Sequence, residues 1–229
     1  MGAVVVTGAS GNLGSVVCGK LLAAGREVFA LVRSEKDRGP LASALIGVAG
    51  ADAKARLRVE IAELASEASV EAAYESAGAL AGAVHCAGGF EPGKLVDTSL
   101  ETFEKMIALN LRTTFLCCRA AAKRLQPGGR IVNVAAYGPA IGSGLGGSLA
   151  YSTSKAAVVA LTRALAEEGV KACCVAPATM RTPQNAQGMP NANQEQWVPL
   201  EDVAAGIVYL LSPEAGALSG AVLTFPLAR

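Results

Sequence analysis

Short apolar runs rich in β-branched residues alternate with longer alanine-rich stretches along the chain, and this alternation most narrows what it can fold into. The candidate strands are Ala3–Thr7, Glu27–Val32, Leu57–Ile61, Gly82–Cys86, Gly129–Val134, Lys171–Ala176 and Gly220–Phe225. Between them, Asn12–Ala24, Ser66–Ser76, Leu100–Leu125, Tyr151–Glu168 and Leu200–Leu211 read as helices. Strands that are unbroken apolar runs are buried on both faces, which a parallel sheet between two helical layers requires. The pattern predicts a doubly wound α/β fold.

The chain has 229 residues, 52% of them hydrophobic and 17% charged, enough to bury one sizeable core. We expect a single domain over residues 1–229, since no fixed-period repeat or low-complexity linker divides it. Net charge is +1 and the charges are interspersed, so neither nucleic acid nor an anionic membrane is an expected partner. No apolar stretch approaches the roughly 20 residues of a membrane span, and, with neither a basic n-region nor a long apolar h-region before the first strand, an untargeted protein is expected. Six cysteines without C-x-x-C spacing, and His85 as the lone histidine, make a poor metal set. They suit a reducing, cytoplasmic setting and small-molecule chemistry.

The turn after the first strand, "TGASGNLG", spaces Gly8, Gly11 and Gly14 three apart. Glycines let backbone amides approach a pyrophosphate, and the following helix offers its unpaired N–H groups and positive dipole end. This points to a Rossmann-type sheet of about seven strands, helices on both faces, with a bound dinucleotide. After the second strand, Val32 and Arg33 stand where a ribose-binding carboxylate is expected. Arg33, helped by Ser34 or Lys36, suits a 2′-phosphate, so NADP(H) is favoured over NAD(H).

With "HCAGG" at 85–89, "NLRTTF" at 110–115, "GGRIVNVAA" at 128–136, "YSTSK" at 151–155 and "VAPATMRTP" at 175–183, the sequence resembles the short-chain dehydrogenase/reductase family over nearly its whole length. The resemblance implies that Tyr151 exchanges a proton with the substrate while hydride passes to or from the nicotinamide. It implies that Lys155, one helical turn on, binds the nicotinamide ribose and lowers the tyrosine pKa. Asn110 would hold a water in the proton relay. The cofactor would touch Gly8, Ser10, Gly11, Asn12, Leu13, Gly14 and Arg33 at one end, and Ala87, Gly88, Pro177, Thr179 and Thr182 at the other. Glu63 and Leu64 would flank the adenine. Assembly as a homodimer or homotetramer through the two long helices is implied as well.

One element departs from the family. Ala135 and Ala136 occupy the place of its catalytic serine, whose hydrogen bond to the reacting oxygen is worth on the order of a hundred- to a thousandfold in rate. Tyr137, Ser143 or Ser148 would have to replace it, or the acceptor must be intrinsically reactive. In the alanine, the A-G-G element and "RTPQNAQGMPNANQEQWVPLE" at 181–201, the chain resembles the dihydropteridine-reductase-like branch, whose quinonoid substrate is electron-poor. The long connection at about 178–199 is the expected substrate lid, Trp197 either capping a planar substrate or anchoring the lid to the core. His85 is expected near the nicotinamide, packing or hydrogen-bonding locally. The expected function is an NAD(P)H-dependent oxidoreductase acting on a small carbonyl, quinonoid or pterin-like acceptor. A nucleotide-binding regulator without efficient catalysis is the alternative.

Overall fold

A computed structural model describes residues 2–228. The strands are β1 (Ala3–Thr7), β2 (Val28–Val32), β3 (Leu57–Ile61), β4 (Leu80–His85), β5 (Leu125–Val134), β6 (Ala172–Pro177) and β7 (Val222–Phe225). All pair in parallel, in the order β3-β2-β1-β4-β5-β6-β7. The helices are α1 (Asn12–Ala23), α2 (Glu35–Ala49), α3 (Glu67–Ala77), α4 (Leu100–Met106), α5 (Thr113–Ala122), α6 (Tyr137–Ile141), α7 (Leu149–Glu167), α8 (Pro183–Gly188) and α9 (Leu200–Leu210). Among the described residues no helix is long and apolar enough to cross a membrane.

Alternate residues of the strands feed two cores. Val4, Val6, Val28, Ala30, Val84 and Val132 pack with Leu13, Val17 and Leu21 of α1, Leu41 and Leu45 of α2, and Val203 and Ile207 of α9. Val5, Phe29, Leu31, Ala83 and Ile131 point the other way, onto Val70 and Tyr74 of α3 and Leu116, Cys117 and Ala121 of α5. Val158 and Val159 of α7 complete that second layer against Ala135 and Cys174. Burial on both faces is why these strands carry no polar alternation. The strand order reverses between β1 and β4, which opens a crevice at their carboxyl ends where ligands of such sheets bind.

The structure departs from expectation in three places. Helix α2 forms despite Gly39 and Pro40, with Leu41 and Leu45 fixed by burial. The single helix expected over 100–125 is interrupted by a π-helical turn at Ile107–Arg112, and its last residue already belongs to β5. The lid is also more ordered than its prolines and amides suggest. Thr182 caps α8 by accepting from the Asn185 amide, and the lid's ends are bridged where Arg181 N donates to Val198 O and Val198 N to Thr179 O, both 2.9 Å.

Candidate active site

Between β1 and α1 the chain turns through Gly8 at φ +62°, where a side chain would be strained and would also press on the Ala87 amide at 2.8 Å. Gly11 is the N-cap of α1 and has no side-chain capping bond, so the first amides of the helix remain available to an anion. Leu13 is buried in the core, Ser10 is exposed, and Asn12 reaches across the crevice to donate to Gln184 Oε1 on α8. These are the features a dinucleotide pyrophosphate requires, and the predicted residues Gly8 to Gly14 fit it.

Arg33 is exposed directly beyond β2, and Ala62 N donates to Val32 O, which brings the Glu63–Leu64 stretch beside it. Glu63 is exposed, with its own carboxylate accepting from Ala65 N, and Leu64 is half-buried. Ser34 does not stand ready to assist Arg33, because its hydroxyl donates to the Asp37 carboxylate at 2.8 Å.

At the other end, β4 runs into Ala87 and Gly88. A side chain at Gly88 would lie 2.6 Å from Asn110 Oδ1 and 3.3 Å from Lys155 Nζ, so only glycine lets these two groups converge there. Asn110 sits on the π-helical turn, fully buried. Its amide pairs with Gly89 as a strand would: Oδ1 accepts from Gly89 N at 3.0 Å and Nδ2 donates to Gly89 O at 3.1 Å. Nδ2 also donates to Ser154 Oγ at 3.0 Å, and Ser154 donates on to Tyr151 O at 2.7 Å. Thr114 Oγ1 donates to Asn110 O, and Thr113 Oγ1 to Leu109 O, both at 2.6 Å, satisfying carbonyls in the irregular turn. The side chain of Asn110 thus positions the segment after β4.

Lys155, one turn beyond Tyr151 on α7, is 6% exposed and donates to Val134 O at 2.8 Å. Burial brings its ammonium down to about 8, with Cys174 and Cys86 nearby. Burial also pushes the Tyr151 phenol up to about 12. Burial is the cause of that rise, since a phenolate would lose its hydration there. Tyr151 meets the Phe90 ring edge-on, with centroids 4.9 Å apart.

Ala135 and Ala136 are buried at the end of β5, where no hydroxyl is present. Ser148 is engaged with Ser152 Oγ at 3.1 Å, Ser143 lies in the exposed glycine loop, and Tyr137 opens α6. Pro177 closes β6, Thr179 joins the lid bridge, and Thr182, 7% exposed, caps α8. Trp197 is 4% exposed, which favours the anchoring role over the capping one, and the next residue, Val198, packs in the core with α9. His85 is buried on the α3–α5 side of the sheet, bonded to Tyr74 and Asn133, and burial lowers it to about 4. It hydrogen-bonds locally, as expected, with its ring on the α3–α5 side of the sheet. Phe90 was not singled out from sequence, although its position just after "HCAGG" could have marked it.

A family profile described as Enoyl-(Acyl carrier protein) reductase matches residues 8–225. The chain belongs to the short-chain dehydrogenase/reductase family. It is 31% identical to a 2-(R)-hydroxypropyl-CoM dehydrogenase of Xanthobacter autotrophicus, across 96% of this chain and 94% of that one. It is 29% identical to an acetoacetyl-CoA reductase of Acinetobacter sp., with the same coverage. Among solved structures, a short-chain dehydrogenase/reductase from Serratia marcescens superposes with a TM-score of 0.85 at 26% identity, covering 98% of this chain and 96% of that one. A blue fluorescent protein from a metagenomic library, in complex with NADPH, gives 0.86 at 28%, covering 97% and 96%. The protein is an oxidoreductase of a family that works with NAD(P)(H).

Proposed function

We propose that the protein is an NADP(H)-dependent reductase of a small, electron-poor carbonyl, quinonoid or pterin-like acceptor, with Tyr151 as proton donor. The observation that carries this reading is the convergence of Gly88 and Asn110 on Lys155, which stands one turn beyond Tyr151 on α7. The dinucleotide, when bound, supplies the hydride. Gly8 to Gly14 would hold its pyrophosphate, Arg33 a 2′-phosphate, Glu63 and Leu64 the adenine end, and Ala87, Gly88, Pro177, Thr179 and Thr182 the nicotinamide half. Lys155 would hydrogen-bond a ribose hydroxyl and keep a positive charge at the site, while Asn110 and Ser154 fix the two segments that flank it.

Burial raises the Tyr151 phenol, so it holds its proton at neutral pH and is in the form an acid needs. Alanine at 135 and 136 supplies no second donor. An acceptor already electron-poor needs less help, which supports the likeness to the dihydropteridine-reductase-like branch. Residues 1–229 would act as one catalytic unit under the lid at 178–199.

NADPH oxidation against aliphatic ketones, quinones and quinonoid dihydropterins tests this, and we expect turnover with the last two classes. Tyr151→Phe is expected to lower kcat about a hundred- to ten-thousandfold, and undiminished turnover in that variant would sink the mechanism. Arg33→Ala should weaken NADPH binding about tenfold and leave NADH unchanged. Equal effects on both nucleotides would move the preference to NAD(H). If NADPH binds and no acceptor in the panel turns over, the regulatory alternative gains the place of the reductase.

A further inference from the structure

Phe90 is 63% exposed, yet its ring lies edge-on to Tyr151 at 4.9 Å and an interplanar angle of 76°. Scattered exposed apolar side chains are ordinary on protein surfaces. This one differs in being held. On its N-terminal side Gly89 exchanges two hydrogen bonds with the Asn110 amide, at 3.0 and 3.1 Å. On its C-terminal side Gly93 N donates to Gly147 O at 2.8 Å and Leu149 N to Gly93 O at 3.0 Å, tying the segment to the entrance of α7. Glu91, its neighbour, pairs with Lys105 at 2.8 Å. The chain fixes a large apolar ring, wet on most of its surface, beside its proton donor.

Resting on the reductase reading, we propose that Phe90 is a substrate-binding residue whose open ring face stacks with a planar, electron-poor conjugated ring presented to Tyr151. The phenyl face is electron-rich, so it attracts an electron-deficient π-system more than an aliphatic chain. Two side-chain torsions, in a segment clamped at both ends, leave little entropy to lose on binding. The same acceptor class follows from the missing serine, but the two observations are independent: one concerns polar help at the reacting atom, the other the surface on which the rest of the ligand lies.

The test is calorimetric binding of 9,10-phenanthrenequinone and of 2,3-butanedione to the NADP+-saturated protein, comparing wild type, Phe90→Leu and Phe90→Tyr. We expect Phe90→Leu to weaken the quinone about tenfold, Phe90→Tyr to restore it to within about twofold, and neither to move the dione or NADP+. Absence of quinone binding to wild type, equal quinone affinity in Phe90→Leu, or parallel loss of both ligands would overturn the assignment. Exposure of Phe90 means that these variants should fold, and circular dichroism checks it. Quinone binding that depends on Phe90 without NADPH oxidation would leave the assignment standing and remove the reductase reading. Turnover that ignores the substitution would do the reverse.

Discussion

Two buried polar networks run through β4, β5, the helix of Asn110 and α7, and they are built on opposite terms. In the first, Thr162 gives its proton to Val158 O and so accepts from Asn133 Nδ2; Asn133 Oδ1 then takes the His85 Nδ1 proton, leaving Nε2 to accept from the Tyr74 hydroxyl at 3.0 Å. Each group has a partner and no charge is needed. Three residues beyond His85, the second network joins Gly89, Asn110 and Ser154, and beside it Lys155 is a buried cation that donates to Val134 O. A closed neutral network fixes the core, while an open charged one is expensive to fold around and is retained for chemistry. The comparison predicts that damage to the first is felt as stability and damage to the second as rate.

The largest expected effect is on Lys155. Lys155→Met should cost about a hundred- to a thousandfold in kcat/KM, and thermal stability should hold or rise, because a buried ammonium is replaced by an apolar side chain of similar length. A large drop in melting temperature would show that Lys155 is structural after all.

Asn133→Leu is the mirror experiment. It strands the His85 N–H and removes the donor to Thr162, and with about 1 to 3 kcal/mol for each unsatisfied buried group we expect a loss of about 3 kcal/mol in urea unfolding. The activity of the folded fraction should change by no more than about twofold. A selective loss of rate would mean that the two networks are coupled.

Proton linkage separates them further. His85 falls from 6.5 in the unfolded chain to about 4 in the fold, so protonation favours unfolding: its contribution is whole above about 6.5 and is lost as the pH falls toward 4. That is about 3 kcal/mol, measurable as a falling urea midpoint, and His85→Leu should flatten the dependence across this window. Lys155, lowered from 10.5 to about 8, acts in the other direction: the buried cation costs stability below about 8, and the cost is relieved as the pH rises. Reductase activity should decline through about pH 8 as the ammonium is lost, and Lys155→Arg should abolish that limb in whatever activity remains.

The closed network was the less visible of the two in the sequence. Strand β1 falls where its apolar run places it and β3 keeps its expected bounds although Arg58 and Glu60 interrupt it, and the glycine turn and the Tyr151–Lys155 spacing are legible because each depends on a few neighbouring residues. His85 at the end of β4 is expected to pack or hydrogen-bond locally, and it does, but its partners Tyr74 and Asn133 lie 11 and 48 residues away and are not legible beside it. Its side chain follows Ala83 onto the α3–α5 side, since alternate residues of β4 face the two cores. Helix α2 was hidden by Gly39 and Pro40, local breakers that burial of Leu41 and Leu45 overrides. The π-helical turn at Asn110 and the clamped Phe90 depend on partners 21 to 56 residues away, which no local pattern displays.

Ser154 gives the smallest effect and the sharpest discrimination. It belongs to the open network by its bond from Asn110 and to α7 by its own bond to Tyr151 O, so it could act through either fold or rate. Ser154→Ala leaves both Asn110–Gly89 bonds in place and removes two neutral hydrogen bonds, together worth about 1 to 2 kcal/mol of stability. If the open network serves to hold α7 against the segment after β4, loosening it should lower kcat about three- to tenfold and leave the NADPH dissociation constant unchanged, since the pyrophosphate turn lies elsewhere. Stopped-flow NADPH oxidation and fluorescence titration of the variant separate the two. A fall in stability beyond about 2 kcal/mol with kcat untouched would place Ser154 with the closed network, and the division between the two would fail at the residue where they come closest in role.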